Sequence, residues 1–250
     1  MWLLALLGGP LMGGLAARQP VVATPPTGVP VRVEPVFNGE PLVLDAPQPY
    51  RTARGEQVTI STFRFYLSSV QLTYADGSRY AEPGSYHLLD ADHPDSWLLP
   101  LPQAPGKALR TLAFSVGVDS ATNVAGAQGG DLDPARGMYW AWHSGYVNAK
   151  LEGRSPNCHT PRREFELHIG GFQGLHRTLR RVSLPVPAGQ AAAAPLVLRA
   201  DVARWLAAAP ALNQNSVVLT AGPAAATQAD AYAQMFTWPA VAPKRSADEN

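Results

Sequence analysis

A chain of 250 residues, 46% of them hydrophobic, can bury a sizeable core, and with no internal repeat or sharp composition change it reads as one domain. Its 20 Lys and Arg against 19 Asp and Glu make no basic face for nucleic acid or an anionic membrane, so neither is expected as a partner. The 24 Pro and 22 Gly favour many short elements joined by turns over a helical bundle.

Residues 1–23 read as a signal-like apolar segment. Trp2 to Ala17 is almost wholly apolar or Gly, no charge precedes Arg18, and Gly14, Ala16, Ala17 and Ala23 offer small residues for cleavage. The run is short for a membrane helix and has poor helix formers in its middle, which favours export, periplasmic or secreted, over anchoring, although the basic start usual in a signal is missing. No Cys follows it, so lipid attachment there is excluded. Residues 24–30, with Pro25, Pro26 and Pro30, form a Pro-rich spacer before a single domain over 31–238 and a flexible tail over 239–250.

From Val29 the pattern is that of strands. Val29, Val31 and Val33 alternate with polar residues and prolines, which predicts an edge strand at best. Val58 and Ile60, then Phe63, Phe65 and Leu67, then Val70, Leu72 and Tyr74 alternate, with a phase slip between Ile60 and Phe63 that predicts a bulge. Asp76-Gly77 is a hairpin signal. Tyr86 and Leu88 share one face of a short strand with His87 on the other, and Leu112 to Val118 gives the cleanest alternation in the chain. Asp119 to Pro134 reads as a polar loop. Phe165, Leu167 and Ile169 alternate with Glu164, Glu166 and His168, and later strands are expected around Val182, Leu196 and Val217. Asp201 is placed to cap a helix over Val202 to Ala209, and a second helix fits about Ala224 to Phe236. The fold class expected is all-β, mainly an antiparallel β-sandwich, with one or two short helices.

The densest chemistry lies in Met138 to Tyr146, where two Trp and two Tyr fall within eight residues. Read as one extended strand, it places Met138, Trp140 and Trp142 on one face and Tyr139 and His143 on the other. No Gly-rich phosphate loop, CxxC or HExxH is present. The single Cys158, in a polar loop expected to be exposed, forms no intramolecular disulfide. Of the six histidines, His93, His159 and His176 fall in turns or loops, whereas His87, His143 and His168 lie on or beside strands that could hold imidazoles for copper, zinc, iron or nickel.

The series Phe63 to Leu72, Tyr86-His87-Leu88-Leu89-Asp90, Gly117-Val118-Asp119-Ser120, Gly126 to Pro134, Met138 to Tyr146, Leu151-Glu152-Gly153, Ser155-Pro156-Asn157-Cys158 and Phe165 to Phe172 resembles the MbnP family of periplasmic copper-binding proteins. The resemblance implies a mostly β fold, export, and mononuclear copper held by two histidines and a kynurenine, made from a Trp by a partner di-haem oxidase of the MauG/MbnH-like class. An indole N–H is a donor only, whereas the amine freed by ring opening has a lone pair for Cu(I). On this resemblance the metal candidates are His168, in Phe-x-x-His-x-Gly-Gly, then His87, then His143. Trp140 and Trp142 are the candidates for the modified or site-lining aromatic, with Trp97 behind them. With one Cys, the chain resembles the branch without disulfides. Three readings are weighed: a copper-binding protein without turnover that serves storage, transport or electron transfer; a β-sandwich recognition module stacking exposed aromatics on carbohydrate or peptide; and a copper enzyme. Against any metal role stands the plain one, in which Trp140 and Trp142 fill a core and His168 bonds Glu166 or a backbone carbonyl.

Overall fold

The computed structural model describes residues 28–141, 145–188 and 195–239. The main strands are β1 (Val31–Phe37), β2 (Gln57–Tyr74), β3 (Tyr86–Asp90), β4 (Leu109–Val116), β5 (Gly145–Arg154), β6 (Glu164–Gly170), β7 (Arg180–Pro185) and β8 (Leu196–Asp201); the helices are α1 (Ser120–Val124), α2 (Val202–Ala208) and α3 (Pro223–Tyr232). They form two sheets. The smaller is built on β1 and β8, the larger on β7, β4, β2, β5 and β6 in that order. Phe236, on a short strand beside β8, packs edge-on against Phe65 of β2 and Phe114 of β4, with ring centroids 5.7 and 4.8 Å apart, and these contacts join the two layers. The expected mainly antiparallel sandwich is what forms, with parallel pairing among the described residues confined to β1 with β8 and β6 with Val217–Val218.

β1 is interior, contrary to the edge position its prolines suggested. It pairs with β8 along one side and with Leu98–Leu99 and Glu40–Pro41 along the other. Pro35 is tolerated because its carbonyl, and hence its missing donor, faces the side where the neighbour changes; that carbonyl accepts from the Leu42 N–H at 3.0 Å. The phase slip after Ile60 is the expected bulge: Glu152 pairs with Thr62 and Gly153 with Ile60, leaving Ser61 unopposed. Asp76-Gly77 turns the chain between β2 and Arg79–Ala81, with Gly77 at φ +82°. Asp201 caps α2 by accepting from the Ala203 N–H at 3.0 Å.

β2 pairs along one edge with two different strands. Phe65 lies between Ala149 of β5 and Leu89 of β3, and Leu67 lies between Val116 of β4 and His87 of β3. Since β3 is continuous along one side, β5 and β4 must share the other and part company at Tyr66. Asn148 fills the fork. Its Oδ1 accepts from the Val118 N–H at 2.9 Å and its Nδ2 donates to Thr178 Oγ1 at 2.8 Å, and it is the extra residue of a second bulge, between Val147 and Ala149. A side chain on Gly117, at φ +112°, would enter the space Asn148 occupies, its Cβ 2.4 Å from Asn148 Cγ.

The large sheet buries apolar groups on both faces. Phe63, Phe65 and Leu67 face the main core between the sheets, while Tyr66, Leu88, Val118, Leu132, Met138, Trp140, Tyr146 and Val147 form a second, smaller cluster on the outer face.

Candidate metal centre

The outer cluster is roofed by the segment that follows β4, which the sequence suggested was plain loop. It contains α1, capped by Asp119 through the Thr122 N–H at 3.0 Å, and two 3₁₀ turns at Gly130–Leu132 and Pro134–Arg136. The roof is held by side chains rising from the sheet. The Tyr66 hydroxyl donates to the Asp131 carbonyl at 3.0 Å; that of Tyr146 donates to the Leu132 carbonyl at 3.0 Å and accepts from the Gln128 N–H at 2.9 Å. In return the Asp131 carboxylate accepts from the Leu88 N–H at 3.0 Å. This explains the Gly-Ala-Gln-Gly-Gly-Asp-Leu-Asp-Pro run in local terms: it must turn repeatedly to present its own backbone to two buried phenols.

Met138 to Tyr146 is a hairpin rather than one strand. Tyr139–Trp140 folds back on β5, Trp140 opposite Gly145 and Tyr139 opposite Tyr146. The shared face of Met138 and Trp140 holds, both side chains being buried, while Trp142 and His143 lie outside the described residues. The Trp140 ring rests on Gly170: a Cβ there would meet Trp140 Cζ3 and the Tyr146 carbonyl oxygen, each at 2.7 Å, so only glycine fits beneath the indole. Beside the ring is a cavity of about 180 Å³ lined by Trp140, Gly145, Gly171, Phe172, Gln173 and Ala221.

His168 lies two residues before Gly170 on β6, on the same outward face. Its Nε2 is 2.6 Å from Glu152 Oε1, and Glu152 Oε2 accepts from Thr62 Oγ1 at 2.9 Å. The partner is thus Glu152 on the neighbouring strand and not Glu166, which sits opposite Glu152. The hydrogen bond to His168, aided by Thr62 and opposed by burial, holds the Glu152 carboxyl down to about 2. A carboxylate so placed selects the Nε2–H tautomer and leaves Nδ1 with its lone pair. Lys150, opposite both His168 and Arg64, reaches back to the Gly137 carbonyl at 2.8 Å, and burial lowers its pKa.

The other candidates are dispersed. His87 is opposite Leu67 and therefore on the main-core side of the sheet, with Nε2 2.8 Å from Glu82; it cannot share a metal with His168 on the far side. Trp97 is buried against Phe63 and Phe65 and donates to the Asp90 carbonyl at 2.8 Å. His93 pairs with Asp90 at 3.1 Å, and His159 and His176 are exposed. Cys158 is fully buried, not exposed, and burial pushes its thiol up to about 11. Among the described residues no group of three or more His, Cys, Asp or Glu is placed to hold a metal. Glu152 and Asn148 carry more of this architecture than the sequence suggested; the only signal was a carboxylate and an amide at strand positions flanked by apolar residues.

The MbnP family model matches residues 26–223, most of the chain. The chain belongs to the MbnP family. A solved structure, MbnP from Methylosinus trichosporium, superposes with a TM-score of 0.56 at 20% identity, over 78% of this chain and 82% of that one. At that identity the likeness is one of fold. A search of curated proteins finds no match. Within the family fold, Trp140 rests on Gly170, two residues from His168 on one strand face, and His87 lies on the opposite face of the sheet. Among the described residues, no helix is long and apolar enough to cross a membrane.

Proposed function

We propose that this MbnP-family chain is an exported copper-binding protein, periplasmic or secreted, without turnover of its own, serving copper storage, transport or electron transfer. The observation that carries the reading is the seating of Trp140 on Gly170, two residues along one strand face from His168. His168 fits a metal: it is an imidazole oriented by a carboxylate, as ligating histidines commonly are, with one ring nitrogen left over. Trp140 fits the second role. As an indole it cannot ligate, but opened to a kynurenine it presents an aromatic amine beside that imidazole. The second histidine is His143, which lies between the two arms of the hairpin in sequence. Copper bound there supplies a one-electron couple that soft and imidazole donors hold as Cu(I) or Cu(II). The oxidation of Trp140 falls to a partner di-haem oxidase of the MauG/MbnH-like class.

The test is mass spectrometry with copper analysis on protein purified from its native host. Conversion replaces one carbon by one oxygen, so a gain of roughly 4 Da on Trp140, with about one copper per chain, is the expected result, because the indole must open before it can ligate. Trp140→Phe is expected to lose both. Copper bound with Trp140 unmodified would reduce the site to histidines, and absence of both from native protein would refute the reading. Among the described residues the exposed large apolar side chains are Val43, Leu98, Val124, Leu175 and Val217, none aromatic, which favours the copper reading over a recognition module that stacks exposed aromatics.

A further inference from the structure

Of the eight tyrosines in the chain, Tyr86 differs in its hydroxyl partner from Tyr50, Tyr66, Tyr146 and Tyr232. Tyr50, Tyr66, Tyr146 and Tyr232 donate to backbone carbonyls, which cannot take up a proton. Tyr86 alone, among the described residues, donates to a carboxylate, that of Asp119, with Thr122 Oγ1 2.7 Å from the Tyr86 hydroxyl oxygen. Asp119 has no Lys, Arg or His partner among the described residues. Burial would raise its pKa, but the donors Tyr86 and Thr122 outweigh this and keep it below the usual carboxylate range. It is an anion held only by N–H and O–H groups, with capacity to accept a proton.

The Tyr86 ring is half-buried and packs on the outer cluster. Within that cluster Tyr66 and Tyr146 stand edge to face at 5.9 Å, Tyr146 and Tyr139 at 5.0 Å, and Trp140 follows Tyr139 in the chain. A hole placed on any of these rings has neighbours at contact distance. It can rest only where the acidic proton of an oxidised phenol has a base within hydrogen-bond reach.

We propose that Tyr86 is a redox-active tyrosine with Asp119 as its proton acceptor. One electron leaves the phenol for a one-electron oxidant, which is reduced by one; the phenolic O–H breaks, the proton forms an O–H on Asp119, and a neutral tyrosyl radical remains. This site is separate from the copper reading and does not depend on it.

The experiment uses the full chain, free of copper, and photogenerated tris(bipyridine)ruthenium(III) with persulfate as the final electron acceptor. Samples frozen after illumination are read by electron paramagnetic resonance. Wild type is expected to give a neutral tyrosyl signal whose rate of formation slows in deuterated buffer. Tyr86→Phe is expected to lose most of that signal. Asp119→Asn keeps a helix cap and the phenol but removes the base, and is expected to cut the radical yield several-fold and abolish the isotope effect. Circular dichroism confirms that each variant is folded, and Tyr50→Phe serves as a control for oxidation at a partly exposed phenol. A wild-type yield in Tyr86→Phe, or an unchanged yield and isotope effect in Asp119→Asn, overturns the proposal.

Discussion

Trp140 and Gly170 occupy one space: the indole lies where any side chain at 170 would go, 2.7 Å from its first carbon. Gly170→Ala should therefore destabilise the protein by about 1–3 kcal/mol through overpacking, read as a lower urea midpoint, whereas Gly129→Ala, with nothing within 4 Å and an ordinary backbone angle, should shift it little. Equal effects from the two would mean that the ring does not sit there.

Glu152 and His168 make stability depend on pH in a definite direction. Glu152 is depressed from 4.5 to about 2, so its contribution is present above the ordinary carboxylate range and is lost as pH falls towards the lower value. With the pair partly exposed, the loss is on the order of 1–2 kcal/mol. Urea melts between pH 5 and 2 should show it in wild type, about those limits, and a flatter profile in Glu152→Gln.

On the copper reading, the same Glu152→Gln change removes the group that orients His168 while leaving every ligand in place. Copper affinity should fall about 10- to 100-fold, as for other carboxylates that hold a ligating imidazole, and competition titration with a chelator measures it.

Tyr146 serves the roof twice, as donor to Leu132 and acceptor from Gln128. Tyr146→Phe strands both groups and should cost about 1–3 kcal/mol. Hydrogen exchange should show residues 126–137 opening while the strands of the main core keep their protection; a uniform loss would argue against a separately held roof.

Cys158 should resist modification by a thiol reagent at pH 8 in the folded protein and react at once in denaturant, because the thiol is buried and its pKa stands at about 11. Rapid reaction without denaturant would place it at the surface.

Much of the fold was legible where a single periodicity decides the matter. β2, β4 and β6 follow their alternation, and even the bulge at Ser61 shows as a phase slip. β1 was misread because prolines report a missing donor but not the side it would have faced. The aromatic segment was misread because Trp140 and Tyr146 satisfy a strand pattern on either arm of a hairpin, and Gly145, the small residue opposite Trp140, is a weak turn signal by itself. Cys158 was misread because its polar neighbours form a turn that folds over it. For the site, the motif points to His168 and Trp140, whose elements meet at Gly170, but the separation of His87 depends on which edge and face of β2 its strand occupies, and a single sequence does not encode that locally.

The two apolar clusters stand on opposite faces of one sheet. Trp140 belongs to the smaller, so a covalent change to its ring alters volume and polarity on the far side from the packing that holds the two layers together. The main interior, built on Phe65, Phe114 and Phe236, is insulated from that change by the sheet itself. A side chain in such a position can be spent as a reagent after folding is complete, and the fold does not have to be rebuilt around the product.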